Sequence, residues 1–262
     1  MSWNAPKPEN ALRRAQELVN IDQPESALSV LHEVISSRRN RSWSATHEQI
    51  MIMYIDLCLS MNKSREAKDG LHQYRNLAQT SAPGSLENVV KYLITESEKK
   101  CQEAKELTKS VSEDEEDDVI AKVDLDEDVA AVDSSNILLL STMTADPEQS
   151  RKESAVLLPR IKFLWESYRA VLDILKSNSK LENLYHVTAM RALKFCAEYK
   201  RRTEFRRLCD LLRMHLQNLQ KYGGVNAMAK VEEGAKQSNK VRNMCCDTVF
   251  PMNTTLTSVI FL

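Results

Sequence analysis

Apolar residues return at steps of three and four along the first hundred positions, and each stripe follows a residue suited to starting a helix. Leu12, Ala15 and Val19 mark a first helix. Asp22, with Glu25 three residues on and Pro24 in the first turn, predicts the cap of a second, which places Ala27, Leu28, Leu31, Val34 and Ile35 on one side. Thr46 and Gln49 form a similar pair ahead of Ile50, Met53, Tyr54, Leu57 and Cys58. Ser64 predicts the cap of a helix carrying Ala67, Leu71, Tyr74 and Leu77, and Pro83 with Gly84 separates it from a long helix over about Ser85 to Thr108. The connections are a few residues long, so successive helices pair as hairpins.

Ala27, Leu31 and His32 recur forty residues later as Ala67, Leu71 and His72. Small residues at equivalent places let paired helices approach closely, and the period is near those of tetratricopeptide and HEAT-like arrays. The expected fold is therefore all-α, a helical-hairpin repeat array of the α-solenoid kind. Three further helices follow from residue 156. The first carries Ile161, Leu164, Trp165, Tyr168, Leu172 and Leu175. The second, capped by Ser179 with Glu182, carries Leu181, Leu184, Tyr185, Thr188, Ala192, Cys196 and Tyr199; the third carries Phe205, Leu208, Leu212, His215 and Leu219.

Between these blocks the stripe fails. Residues 112–150 hold 13 acidic side chains and one basic, a net of −12, whereas residues 151–222 hold 16 basic and 7 acidic, a net of +9. The whole 262-residue chain carries only −1, so the average conceals the segregation. Self-repulsion predicts an open, mobile acidic segment over 110–155, interrupted by the apolar patch Ile137 to Leu140, for which docking back on the core is the competing reading. Ser110 and Ser112 each precede an acidic residue by three positions, the pattern of an acidophilic kinase site. The expected organisation is helical repeats over 1–109, the acidic linker over 110–155, a three-helix continuation over 156–222, and an irregular tail over 223–262.

Five glycines and 6% aromatic residues argue against Gly-rich phosphate loops, tight hairpins and most barrels. The start, Met-Ser-Trp-Asn-Ala-Pro-Lys, has no apolar signal core, and no segment has the length of a membrane span. Six cysteines without C-x-x-C spacing fit a reducing compartment, so a cytoplasmic protein is expected, with no membrane partner.

Catalytic motifs are missing from the sequence: there is no H-E-x-x-H, G-x-S-x-G, Walker or dinucleotide pattern, and the five histidines stand singly on different helices. No enzyme, cofactor, metal site or small-molecule substrate is expected. Cys196 or Cys209 with His215 is the one arrangement that would serve a thiol nucleophile, and core packing is the competing assignment. The acidic run lacks the spacing and central glycine of a calcium loop. Trp165, Tyr168 and Tyr185 fall on the buried stripes, which assigns them to the core rather than to base stacking.

The basic set is the candidate binding feature. Lys200, Arg201, Arg202, Arg206 and Arg207, together with Arg38, Arg39 and Arg41, supply positive charge with reach, as phosphate contacts require. The same set would equally meet acidic partner proteins or the chain's own acidic segment.

Several ordered strings go further than composition. PENAL at Pro8 to Leu12, RSW at Arg41 to Trp43, HEQIM at His47 to Met51 and AKDGLHQYRN from Ala67 to Asn76 stand in the first block. KFLWESYR at Lys162 to Arg169, NLYH at Asn183 to His186, KFC at Lys194 to Cys196 and EFRRLCDLLRMHL from Glu204 to Leu216 stand in the second. In these strings the chain resembles the N-terminal part of the largest subunit of eukaryotic translation initiation factor three, over residues 8–108 and 156–217.

The resemblance implies a non-catalytic helical-repeat scaffold in a multi-subunit complex that supports recruitment of messenger RNA and initiator tRNA and binds the small ribosomal subunit. Its partners would be the other subunits of the factor, the small ribosomal subunit, and messenger or ribosomal RNA. In that family the helical array leads into a winged-helix-containing PCI module and then a long charged helix. This chain ends where that module is expected, so the resemblance describes the N-terminal arm, the part that reaches the ribosome near the messenger exit, in a truncated product. A rival reading from the residues alone is a tetratricopeptide-like adaptor, unrelated to translation, that holds a short peptide on the concave face of its first helices.

Overall fold

The computed structural model describes residues 7–37, 42–109, 147–176 and 178–222, and every regular element among them is helical. In chain order these are α1 (Pro8–Asn20), α2 (Pro24–Ser36), α3 (Ala45–Met61), α4 (Ser64–Ser81), α5 (Pro83–Lys109), α6 (Pro147–Leu175), a single 3-10 turn (Ser179–Leu181), α7 (Glu182–Glu198) and α8 (Arg202–Tyr222). The chain is an all-α helical-repeat protein. The described residues fall in two compact units, the first taking in those up to Thr108 together with 155–184, the second taking in 185–222.

In the first unit α1 packs on α2 and α3, α2 on α3 and α4, and α3 on α4, the neighbour pattern of stacked hairpins. The forty-residue repeat has a structural counterpart: Ala27 and Ala67, and Leu31 and Leu71, are all buried at equivalent places on α2 and α4. Tyr54 of α3 is the wedge between those two helices. Its hydroxyl donates to the Glu66 carbonyl at 2.8 Å and lies 3.1 Å from Nδ1 of His32, so it ties α3 to both α2 and α4. The ring fits because position 70 is glycine: a Cβ there would sit 2.4 Å from Cε1 of Tyr54.

A second polar chain ties α5 to the array. Trp43 Nε1 donates to the Tyr74 hydroxyl at 3.4 Å, Tyr74 lies 2.6 Å from Oγ of Ser85, and Ser85 donates to Oε2 of Glu48 at 2.5 Å. Ser85 has one proton and gives it to the carboxylate, so the Tyr74 hydroxyl is the donor to Ser85. All donors then point toward Glu48, an arrangement in which each hydrogen bond polarises the next. The residues of α6 in this unit are tied in by Arg160, which donates to the Leu59 carbonyl, and by Tyr168, which donates to the Glu98 carboxylate.

The helix starts and stops differ from the sequence expectations in instructive ways. Asp22 does not cap α2; it stands at φ 62° and closes α1, with its N–H on the Val19 carbonyl at 3.0 Å and the next N–H on the Leu18 carbonyl at 2.9 Å. That is a left-handed helix stop, and Pro24 then opens α2 behind Gln23. Asn62, at φ 56°, closes α3 in the same way, and Ser64 is the first residue of α4 rather than its cap. A connection this short is used up by the C-terminal stop, which leaves no residue for a separate cap.

The start of α3 lies at Ser44, two residues before the expected Thr46, and His47 takes the place of Gln49: its Nδ1 accepts the Ser44 N–H at 3.2 Å. His47 is buried, and that burial holds its pKa below the ordinary histidine value, in keeping with a neutral acceptor. Pro83 and Gly84 open α5 instead of separating it from α4, the junction being Ala82 alone. Asn178, not Ser179, provides the cap before α7, its Oδ1 accepting the Lys180 N–H at 3.2 Å. Helix α6 begins at Pro147, inside the stretch 110–155 expected to be linker, and continues through Pro159, whose missing N–H removes one helical hydrogen bond without ending the helix.

Candidate nucleic-acid interface

The basic run Lys200 to Arg207 spans the turn between α7 and α8 and the first turns of α8. Lys200 stands at φ 51°, its N–H on the Ala197 carbonyl at 3.2 Å, and the Arg201 N–H bonds the Cys196 carbonyl at 2.8 Å. This is the same left-handed stop seen at Asp22 and Asn62. It reverses the chain within three residues and turns Arg201 inward.

Arg201 is 0% exposed and Glu204 1%, and the two form a buried ion pair with Nη1 to Oε1 at 3.6 Å. The sequence grouped Arg201 with the cations that face a partner. The fold corrects that placement, because a guanidinium held inside beside a buried carboxylate has no access to an external phosphate. Lys200, Arg202 and Arg206 are exposed and Arg207 is half-buried. Arg38, Arg39, Arg41, Ser110 and Ser112 lie outside the described residues.

At 100° per residue, Arg202, Arg206, Asp210, Arg213 and Gln217 form one stripe on the outward side of α8. Arg207, Leu211, Met214 and Asn218 form the next stripe. Asp210 is the acidic member of this face and pairs with Arg213 at 3.9 Å. Leu211 is 45% and Met214 57% exposed, so the second stripe is apolar in its middle. Neither residue fell on the stripe Phe205, Leu208, Leu212, His215 read from the sequence, and that exclusion is the signal that marks them as outward.

The hairpin is held at its far end by Tyr185 of α7 against His215 of α8, with ring centroids 4.0 Å apart. Burial pushes the Tyr185 hydroxyl to a higher pKa, which keeps it neutral across the physiological range. Trp165 and Tyr168 are buried in the first unit, where the helical spacing puts them.

The thiols among the described residues are core residues. Cys58, Cys101, Cys196 and Cys209 are all buried and reduced, and burial pushes Cys58 up to about 12. A thiol so protonated is a poor nucleophile at neutral pH. Among the described residues no group of three His, Cys, Asp or Glu side chains is placed to hold a metal ion, and no helix is long and apolar enough to cross a membrane.

Comparison with known proteins decides the family. Residues 9–240 match the family described as eIF3a, PCI domain, TPR-like region. The chain belongs to the family of the A subunit of eukaryotic translation initiation factor 3. The match runs through the acidic segment and past Tyr222, beyond the two blocks in which the ordered strings stand. The A subunit of this factor from Coccidioides immitis is 45% identical over 217 residues, which is 82% of this chain and 21% of that protein. Its counterpart in Aspergillus fumigatus is 45% identical over 82% of this chain and 20% of its own length. That of Aspergillus terreus is 45% identical over 218 residues. The chain spans about one fifth of the length of the A-subunit relatives it matches.

Proposed function

We propose that this chain is a non-catalytic scaffold arm of a translation initiation factor complex, which supports recruitment of messenger RNA and initiator tRNA and binds the small ribosomal subunit. Membership of the A-subunit family is the observation that carries the reading. The architecture fits it, since stacked hairpins of this kind commonly serve as binding scaffolds. The partners are the small ribosomal subunit together with the other subunits of the factor, and the compartment is the cytoplasm.

The contact to ribosomal RNA runs through Lys200, Arg202, Arg206 and Arg207, with Arg38, Arg39 and Arg41 as a second basic set. Each phosphate contact adds roughly 0.7 to 0.9 to the slope of log affinity against log salt. Charge reversal at Lys200, Arg202, Arg206 and Arg207 is therefore expected to weaken co-sedimentation with small ribosomal subunits and to lower that slope by roughly 3 units. An unchanged slope removes these residues from the interface. Weakened association with a ribosomal protein, but none with ribosomal RNA, assigns the face to an acidic protein partner.

Ser110 and Ser112 are the proposed acceptors of an acidophilic kinase. Incubation with such a kinase and mapping by mass spectrometry tests them, and phosphate absent from both serines rejects the assignment.

A further inference from the structure

The charges of α4 are sorted by side. At 100° per residue, Lys68, His72 and Arg75 share one flank with Arg65 beside them, whereas the two carboxylates of the helix, Glu66 and Asp69, fall toward the other. The acidic flank is the one nearer Tyr54, whose hydroxyl pKa is raised first by burial and further by the charges of Glu66 and Asp69. The basic flank is the one nearer α6. There Asp173 is held below the ordinary carboxylate range by its hydrogen bond from Lys176, with the charges of His72 and Arg75 adding to it. Helix α6 brings a line of cations of its own at steps of seven, Lys162 and Arg169, continued by Lys176 just beyond its last turn. Glu166 and Asp173 are the carboxylates among them, so the α4–α6 face of the first unit is basic on balance.

We propose that this face is a second RNA contact, which takes the sugar–phosphate backbone of a single strand along α4 and α6. A backbone is met by positive charge set out along a line, and the cations extend over about 15 Å from Arg65 to Arg75 and about 21 Å from Lys162 to Lys176. Arg65, Lys68, Arg169 and Lys176 are exposed, with His72, Arg75 and Lys162 half-buried beside them. Arg65, Arg75, Lys162 and Arg169 each interact within the fold, which fixes where their charge sits; a phosphate needs that charge within reach rather than an unpaired side chain. The described residues of α4 and α6 expose no large apolar side chain, and a protein partner needs an apolar centre to such a face. That favours a polyanion whose charge lies on its outside.

That the chain meets RNA rests on the function proposed above, whereas the choice of face does not, and the experiment separates the two. Lysine amines of the 1–262 chain are acetylated with limiting reagent, with and without a single-stranded RNA oligonucleotide at low salt, and mapped by mass spectrometry. RNA is expected to slow modification of Lys68 and Lys176 several-fold, while Lys91 and Lys99 of α5 keep their rates. Unchanged rates at Lys68 and Lys176 with Lys200 protected overturn the α4–α6 face and leave the RNA reading intact. Protection of no lysine, Lys200 included, overturns both. Equal protection of Lys68 and Lys176 by polyglutamate at the same charge concentration assigns the face to an acidic protein and overturns the proposal.

Two variants of equal charge then test the energetics. Lys68→Gln with Lys176→Gln is expected to weaken oligonucleotide binding about fivefold at low salt and to lower the slope of log affinity against log salt by roughly 1.4. Lys91→Gln with Lys99→Gln, also at exposed positions, is expected to leave both unchanged. An equal loss in the two pairs means that net charge alone is responsible and overturns the proposal.

Discussion

The α3–α4 hairpin and the α7–α8 hairpin turn through the same backbone device and are locked by opposite chemistry. Both reverse at a left-handed residue that is not glycine, Asn62 in one and Lys200 in the other. In α3–α4 the lock is neutral: Tyr54 sits against Gly70 and holds the Glu66 carbonyl. In α7–α8 the polar element is ionic and local to the turn, Arg201 against Glu204 three residues on, with both side chains buried. A neutral, small-residue lock lets helices approach and stack, which is what a repeat array needs. An ionic lock uses one cation of a basic run for the fold and leaves its neighbours on the opposite side of the same turn. The same stretch of sequence thus holds a structural arginine and candidate contact arginines one residue apart.

The ionic lock is the place to break this comparison with the largest effect. Arg201→Met is expected to destabilise the chain by about 3–5 kcal/mol in urea unfolding, because one partner of a buried ion pair is removed while the carboxylate of Glu204 stays buried. Arg206→Met, on the exposed face, is expected to stay within about 0.5 kcal/mol. The neutral lock comes next. Gly70→Ala forces a Cβ into the Tyr54 ring and is expected to cost about 1–3 kcal/mol, whereas Gly84→Ala, with nothing within 4 Å of its Cβ, is expected to be neutral or to stabilise by up to about 1 kcal/mol.

The shared turn gives a smaller effect of opposite sign. Lys200→Gly relieves a left-handed backbone and is expected to stabilise by about 1 kcal/mol, while it removes one cation from the α8 face. Thermal melting and the salt slope of RNA binding read the two consequences separately. The smallest effect is expected at the α3 start. His47 has a lowered pKa in the fold, so its contribution is complete above the ordinary histidine value, near 6.5, and is lost as pH falls below it toward the lowered value. Melting temperature should decline over that range, and His47→Gln, which keeps a side-chain acceptor at the third helical position, should flatten the decline.

Helix identity and order were legible in the sequence because periodicity is a property of each segment on its own. The α2 stripe Ala27, Leu28, Leu31, Val34, Ile35 is buried throughout, and the repeat of Ala27 and Leu31 at Ala67 and Leu71 marks equivalent positions in two stacked hairpins. Helix ends were less legible. Asp22 and Ser64 have the chemistry of caps, but whether a residue caps the next helix or stops the last depends on how tightly the two helices must turn. The candidate site was legible as a run of charge and no further. Arg201, Arg202, Arg206 and Arg207 are alike in composition, and nothing local distinguishes the one that turns inward.

The sequence by itself determined an all-helical chain, its hairpin order, the opposed charges of its acidic segment and second helical block, and the ordered strings that mark the A-subunit family of initiation factor 3. Those follow from local spacing and residue type, which every segment carries with it. Tertiary structure alone decided that Tyr54 wedges between α2 and α4 at Gly70, that Ser44 and His47 start α3, and that Arg201 is buried on Glu204 while Arg206, Leu211 and Met214 face outward. The reason is that each of these depends on where a second helix lies, and burial is settled by the neighbour as much as by the residue.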